Sequence, residues 1–155
     1  MADNSSYRAY MDSLCQPRGW SDFAQVIVSM IAVNSRHGED QEFLCEAGAR
    51  IAELNPLPEV DGLDELNLAV NSRLDSFKWG QSRISDTHDS LTIDHIGIPQ
   101  ALDPALQATW LEGFCSILRG LYGQWLSQSG APSDLGVSIE RTMGTQEAVF
   151  RLRKI

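Results

Sequence analysis

Apolar positions recur at helical spacing through the first half of the chain and alternate in two later stretches. Tyr7, Tyr10, Met11 and Leu14 follow the i, i+3, i+4, i+7 pattern of a short amphipathic helix, with Ser5 or Ser6 placed to cap it and Pro17 and Gly19 to end it. Residues 1–5 are expected to be disordered. Ser21 can cap a second helix in which Phe23, Val26, Ile27, Met30 and Ile31 share one face. A turn at His37-Gly38-Glu39-Asp40 leads to a third helix marked by Phe43, Leu44, Ala47, Ile51 and Leu54, which Asn55-Pro56-Leu57-Pro58 breaks. Leu63, Leu66, Val70, Leu74 and Phe77 mark a fourth. The period then changes. Residues 78–86 and 91–98 suit two strands joined near Thr87-His88-Asp89, with Leu91 and Ile93 inward and Thr92 and Asp94 outward. A second hairpin is read from Val137-Ser138-Ile139-Glu140 and from residues 148–154, where Ala148, Phe150 and Leu152 face one way. The order predicts an α+β fold in a single domain over residues 1–155. N-terminal helices and one long helix in the C-terminal half pack on an antiparallel sheet of about four strands.

That long helix, Asp103 to Ser129, organises the reading. Asp103 is a good N-cap, Pro104 suits the first turn, Gly130 suits the C′ position, and Pro132 follows. Between Pro104 and Ser129 only Glu112 and Arg119 are charged. At 100° per residue, Leu106, Trp110, Phe114, Ile117, Leu121 and Trp125 form one broad stripe, and Gly113, Ser116, Gly120, Gly123 and Ser127 form a second beside it. A helix so apolar is buried on most sides. Each interior glycine costs roughly 1 kcal/mol against alanine, so the small-residue stripe predicts a close-packing or oligomer face. Either the chain's own sheet or a second copy of the chain would pass close to it.

Composition narrows the function classes. Twelve basic against 21 acidic residues give a net charge of −9, which disfavours nucleic acid and anionic membranes as partners. The longest apolar stretch, Val26 to Val33, is too short to span a bilayer, so no direct membrane insertion is expected. The first residues lack the basic and apolar regions of a secretory signal, which favours the cytoplasm and leaves the periplasm as the alternative. Cys15, Cys45 and Cys115 match no zinc or disulfide spacing and read as reduced, packed thiols.

Catalytic patterns are weak. Asp86, His88, Asp89, Asp94 and His95 offer metal-binding side chains, but Asp94 and His95 point to opposite faces of a strand, and a polar turn flanked by solvated positions is the simpler reading. His37 sits in a loop. Gly113-Phe114-Cys115-Ser116 lacks the nucleophile elbow and lies mid-helix. Glu59 with Asp61, or Asp64 with Glu65, could pair for glycoside hydrolysis, but they lead into a helix N-terminus that carboxylates favour anyway. No catalytic residue, metal or cofactor is expected.

The segment Leu118-Arg119-Gly120-Leu121-Tyr122-Gly123-Gln124-Trp125, preceded by Trp110-Leu111-Glu112-Gly113 and followed by Ser129-Gly130-Ala131, resembles the D subunit of the bacterial cellulose synthase operon. Leu121, Tyr122, Gly123 and Trp125 carry the motif. Leu66 to Leu74 running into Phe77-Lys78-Trp79-Gly80, and the strand at Ser90-Leu91-Thr92-Ile93, are similar as well. The resemblance covers roughly residues 60–155 closely and the first 60 by helix pattern. It implies a non-enzymatic α+β subunit of the cellulose synthesis and secretion complex, with other subunits of that complex as partners. Such subunits assemble as dimers into a cylindrical octamer whose passageways guide nascent glucan chains toward crystalline fibrils. The family's N-terminal segments contribute to the passage lining. Residues 1–20 here do not align closely enough to carry a contact residue across. Asn4, Ser5, Ser6, Tyr7 and Tyr10 are chemically suited to bind glucan, because aromatic faces stack on sugar rings while short polar groups bond hydroxyls. The alternative class is a small-ligand or peptide-binding adaptor, with an apolar pocket between helices and sheet lined by Trp20, Trp79, Trp110 and Trp125.

Overall fold

The computed structural model describes residues 4–14 and 17–155. Cys15 and the first three residues lie outside the described residues, as does the side chain of Asn4. Among the described residues the chain forms α1 (Asn4–Ser13), α2 (Trp20–Asn34), α3 (Glu39–Leu54), α4 (Leu63–Phe77), β1 (Gln81–Thr87), β2 (Ser90–Ile96), α5 (Gln107–Gln128), β3 (Leu135–Met143) and β4 (Glu147–Lys154). Ser5 and Ser6, expected at a cap, lie inside α1. Helix α2 begins behind Gly19, so Ser21 sits in its first turn, and the Asp22 carboxylate accepts from the Gly19 N–H (3.3 Å).

The four strands form one antiparallel sheet in the order β1-β2-β4-β3. Ile84, Ile93 and Phe150 are cross-strand neighbours and form one buried row. Beside it runs the row Ser82, His95, Ala148. The helices cover this face, α4 at the β1 edge and α5 across β3 and β4.

Helix α5 is introduced by a tight 3-10 turn at Pro104–Leu106. The Asp103 carboxylate accepts from the Ala105 N–H (2.9 Å). At the far end Gly130 takes a positive φ of 102°. Its N–H reaches the Ser127 carbonyl and that of Ala131 reaches Leu126, which closes the helix in a Schellman arrangement.

Gly120 of α5 makes the predicted close approach, and makes it with helix α3 rather than with the sheet. A methyl group built on Gly120 would overlap the Cys45 carbonyl. One built on Gly48 of α3 would overlap the Ile117 carbonyl. The two helices therefore touch backbone to backbone. Gly113 meets the side chains of Val28 and Leu44, whereas nothing approaches Gly123. Glu42 pairs with Arg119 at 2.9 Å, and the Gln41 amide donates to Glu112, so both charged groups of α5 are tied to the start of α3.

Helix α4 seals the edge of β1. Asn67 donates to the Ile84 carbonyl (2.9 Å) and accepts from its N–H (2.7 Å). Asn71 does the same with Ser82 (2.8 Å for both bonds). Residues four apart on a helix and two apart on a strand have nearly the same spacing, so two amides stand in for a fifth strand.

Of the five residues grouped on one face of α2, only Ile31 packs against the core. Phe23, Val26, Ile27 and Met30 are exposed, whereas Gln25 and Val28 are buried. Gln25 accepts from the Leu102 N–H (2.8 Å) and donates to the Gln100 carbonyl (3.2 Å) and to Ser21 (3.0 Å). This bonding fixes the rotation of the helix. Apolar periodicity reveals a stripe but does not say what the stripe meets.

These contacts set the sign of three substitutions. Gly120→Ala should cost roughly 1–3 kcal/mol or more, because backbone rather than a flexible side chain must give way, while Gly123→Ala should gain about 0.5–1 kcal/mol. Urea denaturation of both variants would show opposite signs. Asn67→Ala leaves two polar groups of Ile84 without partners. It should cost roughly 1–3 kcal/mol and, by opening a strand edge, promote association visible in light scattering on refolding.

Candidate functional site

Three places in the fold gather the residues that the sequence singles out. The first is α1. The Tyr7 hydroxyl donates to the Glu147 carboxylate at the start of β4 (2.9 Å). That bond, with some burial and the carboxylate's charge, raises the phenol's pKa. Tyr10 is half-buried, and its ring lies with Leu14 over Gly97, at the exit of β2. Burial, assisted by Asp75, raises its pKa too. Both tyrosines thus dock α1 on one end of the sheet. Tyr7 remains 40% exposed, on a helix that also presents Ser5 and Ser6 at the surface.

The second place is the interior beneath the family motif. Leu121, Tyr122 and Trp125 are fully buried. The Trp125 indole N–H donates to the Asn55 carbonyl (3.0 Å) and anchors α5 to the end of α3. Tyr122 meets His95, which is buried rather than solvated, a correction to the polar-turn reading. The rest of that cluster, Asp86, His88, Asp89 and Asp94, is exposed as expected. His95 shares strand parity with Leu91 and Ile93, and its cross-strand neighbours Ser82 and Ala148 are small, which leaves room for the Tyr122 ring. One imidazole nitrogen, Nε2, faces the Trp79 carbonyl at 2.8 Å, which can only accept. Nε2 therefore carries the proton, and the Tyr122 hydroxyl donates to Nδ1 at 2.5 Å. Burial pushes the His95 pKa down to about 4, against a smaller opposing effect of the Trp79 carbonyl. Burial also raises the Tyr122 pKa. The pair is a neutral, mutually satisfied polar layer.

The third place is the stripe on α5, which the structure divides. Gly113, Ser116 and Gly120 are buried, Gly123 lies in a groove, and Ser127 is exposed. The groove, about 610 Å³, runs between α3, α5 and β3, with Ala49, Gly120 and Gly123 as its floor and Arg119, Arg153 and Lys154 among its walls. The four tryptophans do not converge on it. Trp20 stands exposed on α2, whereas Trp110 and Trp125 are core and Trp79 is half-buried against Phe77 and Phe114. Burial pushes the Cys115 thiol up to about 12, so it stays protonated and inert at neutral pH. Among the described residues no group of three or more His, Cys, Asp or Glu is placed to hold a metal ion. None of their helices is long and apolar enough to cross a membrane.

The buried histidine makes stability depend on pH. The unfolded imidazole takes up a proton below about 6.5, whereas the folded one resists until about 4. The unfolded state therefore binds more protons across that window. Stability is full above it and falls as pH drops through it, by up to about 1.4 kcal/mol per pH unit. Denaturation midpoints followed through this range should show the decline, and the His95→Gln variant, though less stable, should show a shallower one.

No curated protein matches the chain. The family described as the D subunit of cellulose synthase matches residues 6–153, nearly the whole sequence. The chain belongs to this cellulose synthase D-subunit family, an accessory rather than a catalytic part of that machinery.

Proposed function

We propose that this protein is a structural subunit of the bacterial cellulose synthesis and secretion complex. It self-assembles through dimers into an octameric cylinder and guides glucan chains into crystalline fibrils by confinement rather than by chemistry. The observation that carries this reading is the family match over residues 6–153. Two features of the fold support it. The residues with strongly perturbed protonation, His95, Tyr122 and Cys115, face inward and are consumed by packing. The N-terminal helix, by contrast, leaves the Tyr7 ring and the two serines at the surface, next to one another on one turn.

In this proposal Tyr7 and Tyr10 supply flat faces for sugar rings, and Asn4, Ser5 and Ser6 supply hydrogen-bonding partners for hydroxyls. The partners are other copies of the chain, glucan and the remaining subunits of the complex. Light scattering after size exclusion should give a mass close to eight times the 17.2 kDa chain; a strict monomer at micromolar concentration would overturn the proposal. The Tyr7→Ala/Tyr10→Ala variant should bind cello-oligosaccharides at least several-fold more weakly in titration calorimetry. Deleting residues 1–6 should weaken glucan handling while leaving cooperative unfolding intact.

A further inference from the structure

Helix α2 is apolar over two adjoining arcs of its circumference. One arc, with Ala24, Val28 and Ile31, faces the core. The other carries Trp20, Phe23, Val26, Ile27, Met30 and Val33, all exposed, with Trp20 at 75% and Val33 at 80%. These six residues do not face outward because the helix is loosely held. Gln25, itself 3% exposed and bonded to Leu102, Gln100 and Ser21, locks the rotation that turns them to solvent. Their exposed side chains amount to on the order of 700 Å², if a fully exposed aromatic side chain contributes roughly 150–250 Å². That exceeds the roughly 300–600 Å² of the largest apolar patch on a typical monomer. It approaches the roughly 800 Å² that each partner brings to a standard interface.

The spacing of the six names the partner. Two copies of one helix packed antiparallel about a perpendicular two-fold axis bring residue i of one opposite residue j of the other, with a constant sum i + j. For an axis between Val26 and Ile27, Trp20 lies level with Val33, Phe23 faces Met30, and Val26 lies beside Ile27 across the seam. The six positions are thus symmetric about the axis, with Phe23 on Met30 at the centre line, a favourable match of sulfur on a ring, and Trp20 and Val33 at the flanks. The only charged residue in the helix, Asp22, is engaged at the helix start by the Gly19 N–H. In a chain of net charge −9, an uncharged face is where two copies can meet without repulsion.

We infer that the outward face of α2 is the two-fold contact between copies of this chain, formed by antiparallel α2 helices centred between Val26 and Ile27. This rests on the reading that the protein self-assembles, and it specifies the surface. Copy-to-copy contact is favoured over glucan because none of the six side chains offers a hydrogen bond to a sugar hydroxyl except the Trp20 indole.

The test compares the full chain with the Phe23→Glu/Met30→Glu variant by sedimentation and by thermal melting. Both substituted positions are more than half exposed, so the variant should melt close to the parent while its assembled mass falls at least by half. A second variant, Phe23→Cys/Met30→Cys, should on mild oxidation give an intermolecular link between positions 23 and 30, identified by peptide mapping. A parent that is monomeric overturns the self-assembly reading and this inference together. An oligomeric parent whose mass the glutamates leave unchanged overturns this inference alone. So does a variant that keeps its mass but loses binding of cello-oligosaccharides or of lipid vesicles, or a cysteine pair that links only 23 to 23.

Discussion

Gly48 of α3 and Gly120 of α5 bring two helix backbones into direct contact, and much of the molecule is arranged around that contact. A single methyl group at either position would collide with a carbonyl of the other helix. Once the pair is seated, the rotation of α5 is settled. Leu118, Leu121 and Tyr122 are fully buried, Trp125 reaches the end of α3 at Asn55, and Arg119 reaches its beginning at Glu42. Ridges of larger side chains would hold helices about 8–10 Å apart. Glycine lets them approach more closely, and the exposed ion pair at the rim adds alignment more than energy.

The sheet meets α5 through a polar layer as well as an apolar one. An apolar interface sets register through shape alone, and a polar layer adds a directional requirement. The Tyr122 hydroxyl on His95 Nδ1, with Nε2 held by the Trp79 carbonyl, has one satisfactory register. Any other leaves a buried donor or acceptor unpaired, which is more costly than a lost apolar contact. The asparagines of α4 act in the same way at the β1 edge, where a shifted helix would strand both amides and the strand groups they satisfy.

Those devices also explain which features are legible in the sequence. Asp103, Pro104 and Gly130 bound the long helix because caps act locally, and alternation reveals the hairpins because strand parity is local too. The Leu121-Tyr122-Gly123-Trp125 motif points to the family, and α4 shows its buried face in Leu66, Val70 and Leu74. What the sequence hides depends on partners distant along the chain. Apolar periodicity in α3 highlights Ala47 rather than Gly48, although Cys45, Gly48, Ala49 and Ala52 form a small-residue stripe of their own that answers the one on α5. The burial of His95 follows from its parity with Leu91 and Ile93 but is masked by acidic neighbours. The rotation of α2 is unreadable from hydrophobicity, because the residue that decides it is a glutamine bonded to a loop 75 positions away. For the glucan candidates on α1, chemistry can nominate side chains, whereas their docking on Glu147 and Gly97 needs the fold.

The two sheet edges bear on how copies of the chain can meet. A free strand edge is the usual route for uncontrolled pairing between chains. At β1 the asparagine amides occupy the groups such pairing would use. At β3 the register shifts between Ile139 and Arg141, which inserts Glu140 as an extra residue, and that residue is paired with Arg151 at 2.9 Å. A bulge bends the strand and breaks the regular ladder that another strand would need. Both edges are therefore poor templates for strand addition. Association that avoids the edges has to use side chains, on a helix or on the uncovered face of the sheet, where shape selects the partner. The outward face of α2 supplies such a surface, held in place from behind by Gln25. From behind, the side chain of Val28 in α2 packs directly on Gly113 of α5, the helix that the Gly48–Gly120 contact seats on α3.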